Sequence, residues 1–120
     1  MYLINDTINQ ITKDHSLVEE MISCGKITRG QERNHPDKNI ITRAVGVTKT
    51  VECDIFTLNI TNEEFILMCS DGLTNMLEDD KILQVVGSEK KLEKKLDELI
   101  EIALNNGGTD NISAVLIKGE

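Results

Sequence analysis

Two short stretches combine residue types able to do chemistry: Ser70-Asp71-Gly72 and Gly107-Gly108-Thr109-Asp110-Asn111. Asp71 follows Phe65-Ile66-Leu67-Met68-Cys69, a run apolar at every position. Such a run reads as a central strand covered on both faces. A carboxylate delivered at its end is costly unless something binds it. Asp110 sits in a glycine turn at the mouth of a second apolar run, Ile112–Ile117, read as a final buried strand. Taken separately, Asp-Gly and Asp-Asn are ordinary turn chemistry, because these side chains bond their own backbone and tolerate positive φ. If the two strands are neighbours, both carboxylates meet at one edge and can share a hard divalent cation such as Mg²⁺ or Mn²⁺. Two acids are too few for a complete site.

The remaining pattern must supply the frame that positions them. Tyr2–Ile4 and Ile8–Thr12 read as short strands around Asn5-Asp6-Thr7, a hairpin at the start. Asp14 or Ser16 can cap a helix with Leu17, Val18, Met21 and Ile22 on its apolar face and Glu19 and Glu20 on its polar one, stopped by Gly25. Lys26 to Asn39 has a weaker pattern, with Thr28 and Gln31 at capping-box spacing and a breaker at His35-Pro36-Asp37. It reads as a mobile excursion with a short helix. Asn39–Ala44 is expected to form a helical turn, and Asp54–Ile60 alternates as a strand with one buried face would. Asp79 can cap a helix through Val86, closed by Gly87. Ser88 can cap the next, where Leu92, Leu96, Leu99, Ile100, Ala103 and Leu104 recur at helical steps. The total is a mixed α+β chain.

Composition narrows the function classes. The chain has 120 residues and a net charge of −8, and its acids are concentrated late: residues 1–60 carry 7 Lys and Arg against 8 Asp and Glu, residues 61–120 carry 6 against 13. That half is where cations would collect. With no basic stripe and only Tyr2, Phe56 and Phe65 as aromatics, nucleic acid is disfavoured as a partner. No apolar run approaches the ~18 residues of a membrane span, and the first residues lack a signal-like pattern, so a soluble, unexported, cytoplasmic protein is expected. Cys24, Cys53 and Cys69 form no C-x-x-C pair and read as buried small apolar groups. His15 reads as a helix-start hydrogen-bonder, Arg43 as structural, and the Glu and Lys run from Glu89 to Glu101 as a solvated helix face.

Four motifs in order then resemble the bacterial metal-dependent protein phosphatases of the 2C class: Thr12-Lys13-Asp14-His15-Ser16-Leu17-Val18, His35 through Gly46 (HPDKNIITRAVG), Cys69-Ser70-Asp71-Gly72-Leu73-Thr74 and Gly107 through Ile112. The resemblance runs from Tyr2 to about Lys118 and matches the C-terminal half of that family's domain. It implies part of an αββα sandwich, two antiparallel sheets flanked by helices, with a binuclear Mg²⁺ or Mn²⁺ site at one end. The metals of such a site activate a water that attacks phosphoserine or phosphothreonine in line, without a phosphoenzyme. By motif, Asp71 and Asp110 would be metal ligands, Gly72 and Asn111 would shape the metal loops, and His35 could face substrate from a flap at about residues 25–39. The implied partners are phosphoserine and phosphothreonine proteins of a kinase-linked signalling system.

The chain also departs from that pattern. It contains no D-G-x-x-G segment for a bridging aspartate, no R-x-x-N-E-D segment for a phosphate-binding arginine, and no G-D-S-R before Tyr2. The metal site within these residues would be half a site. Two functions of different class follow. One is the C-terminal part of a serine/threonine phosphatase, inactive alone. The other is a non-catalytic phosphatase-like module that associates with a partner chain, or with itself, through open strand edges.

Overall fold

The computed structural model describes residues 1–120, which fall into two compact units: Met1–Thr12 with Leu58–Glu120, and Lys13–Thr57. In the first, β1 (Tyr2–Ile4), β2 (Ile8–Gln10), β3 (Phe65–Cys69) and β4 (Ala114–Lys118) form one antiparallel sheet in the order β2-β1-β3-β4. The β1–β2 hairpin closes on Asn5, whose side chain accepts from the Thr7 N–H at 2.9 Å. Register sets the faces. Tyr2, Leu67 and Leu116 lie side by side across three strands, as do Ile4, Phe65 and Lys118. Ile4, Leu67 and Leu116 are buried, and they join Leu73, Leu77, Ile82, Val86, Leu99 and Ala103 in the core.

That core is covered on one side by α2 (Asp71–Thr74), α3 (Asp79–Val86) and α4 (Leu92–Asn105). Helices α3 and α4 stand where their spacing placed them, but three readings change. β3 is central, with a partner on each side, yet only one of its faces is covered. Met68, Val115 and Ile117 on the opposite face are 39, 52 and 40% exposed, because no second layer packs there. For the same reason β4 is a half-buried strand rather than a fully buried one. A one-turn helix, α2, stands where a simple tight turn was expected.

The caps also move. Glu78 and Lys91 occupy the N-cap positions of α3 and α4, and the Ser88 hydroxyl donates to the Val85 carbonyl at 2.7 Å, closing α3 rather than opening α4. Within the supposedly solvated face of α4, Lys95 is buried: its Nζ donates to the Val86 carbonyl at 2.5 Å and lies 4.3 Å from the Phe65 ring centre. Its long apolar stem lets it cross the core edge, and the last carbonyls of α3 receive its charge. Desolvation pushes its pKa down, with Lys118 adding to the effect.

The second unit is built from α1 (Leu17–Ser23) and a 3₁₀ turn (Gln31–Asn34). Ser16 caps α1, its side chain accepting from the Glu19 N–H at 3.3 Å, and Gly25 takes the left-handed φ of +72° that ends it. The Thr28–Gln31 spacing is used in part: the Thr28 N–H donates to the Gln31 side chain at 2.7 Å. Glu19 is not on a solvated face. It is buried and takes two hydrogen bonds from Arg29, at 2.7 and 2.8 Å, which hold its carboxyl below the usual range against the opposing effect of burial.

Asn39–Ala44 forms no helical turn; Ile41 instead makes a single antiparallel bridge to Ser16. Asp54–Ile60 makes no ladder, and Ile55 is 87% exposed. His15 does not serve the helix start: its Nε2 lies 2.8 Å from Asp54 Oδ2, while Arg43 donates to Asp54 Oδ1 at 3.2 Å and to the Glu52 carbonyl at 3.3 Å. Arg43 is thus structural, as read. These two partners, His15 first, hold the Asp54 carboxyl below its ordinary pKa. The cysteines are free, with Cys24 and Cys53 exposed and Cys69 half-buried, which corrects their reading as buried groups.

Candidate functional site

β3 and β4 are neighbours, so the turn that follows Cys69 and the turn that precedes Ala114 stand at the same sheet end. Asp71 is the first residue of α2 and Asp110 lies in the loop after α4; both are exposed. The two turns are stitched together. The Ser70 N–H donates to the Ser113 carbonyl at 2.9 Å, the Ser113 N–H donates to Ser70 Oγ at 3.0 Å, and Ser70 Oγ donates to the Asn111 carbonyl at 3.2 Å. Gly72 is required by this approach: a Cβ there would sit 2.1 Å from the Asn111 carbonyl oxygen. Asp110 Oδ1 in turn accepts from the Asn111 N–H at 2.7 Å.

The glycines after α4 build the second turn. Gly107 and Gly108 take φ of +135° and +51°, and the Asn106 side chain donates to the Met76 carbonyl at 2.8 Å, tying the end of α4 to the loop after α2. Four of the sequence-predicted residues, Asp71, Gly72, Asp110 and Asn111, are therefore assembled in two touching turns. The fifth, His35, belongs to the second unit, where its Nδ1 accepts from the Asp37 N–H at 3.1 Å. The part Ser70 plays in joining the turns was not legible in the sequence, since its partners lie 41 and 43 positions away.

Carboxylate oxygens are the right donors for a hard cation. They are too few here to complete a shell: no three His, Cys, Asp or Glu side chains of the chain cluster closely enough to hold an ion. The pair fits a divalent metal in kind, as part of a larger ligand set.

The model of the family described as protein phosphatase 2C matches residues 35–112, a span holding His35, Asp71 and Asp110. The chain belongs to the protein phosphatase 2C family. Among curated relatives, the serine/threonine phosphatase Stp of Listeria welshimeri is 42% identical over 98% of this chain and 47% of its own. A bacterial serine phosphatase crystal structure superposes with a TM-score of 0.91 at 37% identity, over 99% of this chain and 49% of its own. The catalytic domain of the phosphatase PstP, solved in complex with two manganese ions, superposes at 0.76 with 30% identity, over 96% and 47%. This protein phosphatase 2C chain thus spans about half the length of the relatives it matches. It has no helix long and apolar enough to cross a membrane.

Proposed function

We propose that the chain is the C-terminal part of a metal-dependent serine/threonine protein phosphatase, in which Asp71 and Asp110 give carboxylate ligands to Mg²⁺ or Mn²⁺. The observation that carries this reading is the joining of the two acidic turns across neighbouring strands, in a chain of this family. Asp71 and Asp110 concentrate negative charge at one sheet end. Gly72 and Asn111 let the two backbones approach, and the flap-like residues 25–39, with His35, would face a phosphoserine or phosphothreonine protein. A bound cation would supply Lewis-acid activation of water for attack on phosphorus. The remaining ligands and a phosphate-binding arginine would come from outside these 120 residues. A cytoplasmic, kinase-linked signalling role accompanies this reading.

A second reading is favoured by the open sheet face at Met68, Val115 and Ile117. Apolar area of that kind gains about 25 cal/mol per Å² when covered, so a non-catalytic module binding a partner chain or itself is physically sensible. One experiment separates the two. The chain is co-expressed with the part of the Listeria phosphatase that lies outside the match, and manganese-dependent hydrolysis of a phosphothreonine peptide is followed. Activity is expected only with the added half, and Asp71→Ala or Asp110→Ala should abolish it. A stable but inactive complex would favour the module. Turnover by the 120 residues alone, lost in Asp71→Ala, would overturn the half-site reading.

A further inference from the structure

We propose that Ser70 is a positioning residue for the carboxylate pair, its hydroxyl setting how Asp110 is presented relative to Asp71; this rests on the metal-site reading above. A hydroxyl can donate once and accept, and Ser70 uses both capacities on the opposing loop: it donates to the Asn111 carbonyl at 3.2 Å and accepts from the Ser113 N–H at 3.0 Å. Asn111 is the pivot. Its carbonyl is held by Ser70 and pressed against Gly72, and its N–H is the donor to Asp110 Oδ1 at 2.7 Å. A path therefore runs from Asp71 through the adjoining Ser70 to the Asn111 carbonyl, and through the Asn111 Cα to its N–H and the Asp110 carboxylate.

The sheet does not need this hydroxyl. The β3–β4 ladder extends to Cys69 and Ala114, and the Ser70 N–H reaches the Ser113 carbonyl at 2.9 Å through backbone alone. Removing the side chain should therefore leave the strands paired while freeing the Asn111 backbone to turn about its φ and ψ. Partners standing behind metal ligands typically command tenfold to hundredfold changes in affinity.

The test is a Mn²⁺ titration of the ¹⁵N-labelled 120-residue chain, read by paramagnetic broadening of the Gly72 and Asn111 amides, with Leu99 in α4 as an unbroadened reference. In the unmodified chain both turns should broaden with one midpoint. Ser70→Ala should raise that midpoint about tenfold or more, or give the two turns separate midpoints. Ser70→Thr, which keeps the hydroxyl, should restore the shared midpoint. An unchanged midpoint in Ser70→Ala overturns the role of Ser70, as does a threonine variant that behaves like alanine. Loss of the α4 resonances in Ser70→Ala also overturns it, because the hydroxyl would then hold the fold. If the unmodified chain shows no broadening at either turn, the two turns present no shared cation site by themselves, and the role of Ser70 in setting it is overturned.

Discussion

The unit that carries Asp71 and Asp110 contains every member of the apolar core, whereas in Lys13–Thr57 the one buried hydrophobic side chain is Val18. The second unit is held by polar groups instead: the pair of hydrogen bonds from Arg29 to Glu19, the Asp54 carboxylate between His15 and Arg43, and the local turns around Thr28 and His35. Apolar burial is insensitive to pH and cooperative over many residues, while exposed ion pairs are individually weak and screened by salt. The carboxylate turns therefore sit on a rigid frame, and the flap-like residues stand on a frame that solution conditions can loosen. On the function proposed above, that division would suit both units, since groups that hold a metal must keep their geometry while a segment facing substrates of varied shape must adapt.

The largest effect that could break this contrast is a cavity in each unit. Leu67 is fully buried in β3, four residues before Asp71. Leu67→Ala should cost about 2–5 kcal/mol in urea-induced unfolding. Val18→Ala removes fewer methylenes from a shallower site and should cost markedly less. Equal losses would mean that the second unit has a core comparable to the first.

A smaller, sharper effect is acid sensitivity. The carboxyls of Glu19 and Asp54 have pKa values lowered by the hydrogen bonds they receive, from Arg29 and from His15 and Arg43 respectively. A depressed carboxylate pKa gives stability that is present above the unfolded value and lost as pH falls through the folded one. Once the slower intrinsic exchange at low pH is divided out, the protection of the α1 amides should therefore fall as pH drops below about 4, while α4 stays protected. Glu64, in the first unit, is shifted the same way by the Thr61 N–H and hydroxyl, but the core there does not depend on it. Arg29 is 57% exposed, so its pair with Glu19 is worth only about 1 kcal/mol, and 0.5 M salt should reproduce part of the loosening at neutral pH. A uniform loss of protection in both units would remove the distinction.

What the sequence conveyed followed the same division. Helix α4 and strand β3 are written in local spacing, and both stand where spacing placed them. The acidic turns were legible as turns from their glycine, aspartate and asparagine, and as a candidate site only through the apolar strands that lead to them and the motifs in which they stand. Alternation in Asp54–Ile60 tells which face a strand would bury, but a ladder needs a neighbour, and these residues have none in the chain. The bare face of β3 has the same origin: an apolar run shows that two faces could be covered and is silent on whether a second layer is present. Lys95, Ser70 and the His15–Asp54 pair escaped because their partners lie 9 to 43 positions away and depend on packing and register.

The smallest expected effect tests the one charge inside the apolar unit. Lys95 is displaced toward neutrality by desolvation, so its folded pKa lies below the 10.5 of a free lysine. Between those two values the unfolded chain binds the proton and the folded one does not, and stability must rise with pH. Below the folded value the full cost of burying the cation persists, offset by the Val86 carbonyl and the Phe65 ring face. Lys95→Met keeps the length of the stem and removes both the cost and the offset, so at pH 7 the stability should change by less than about 1.5 kcal/mol. The difference between the two proteins should then shift in favour of lysine as pH is raised toward 10.5, because the neutral amine still donates to Val86 without carrying a charge. A pH-independent difference would show that the ammonium reaches water despite its burial. The first unit would then be held by apolar packing without any charge inside it, and its contrast with Lys13–Thr57 would be sharper still.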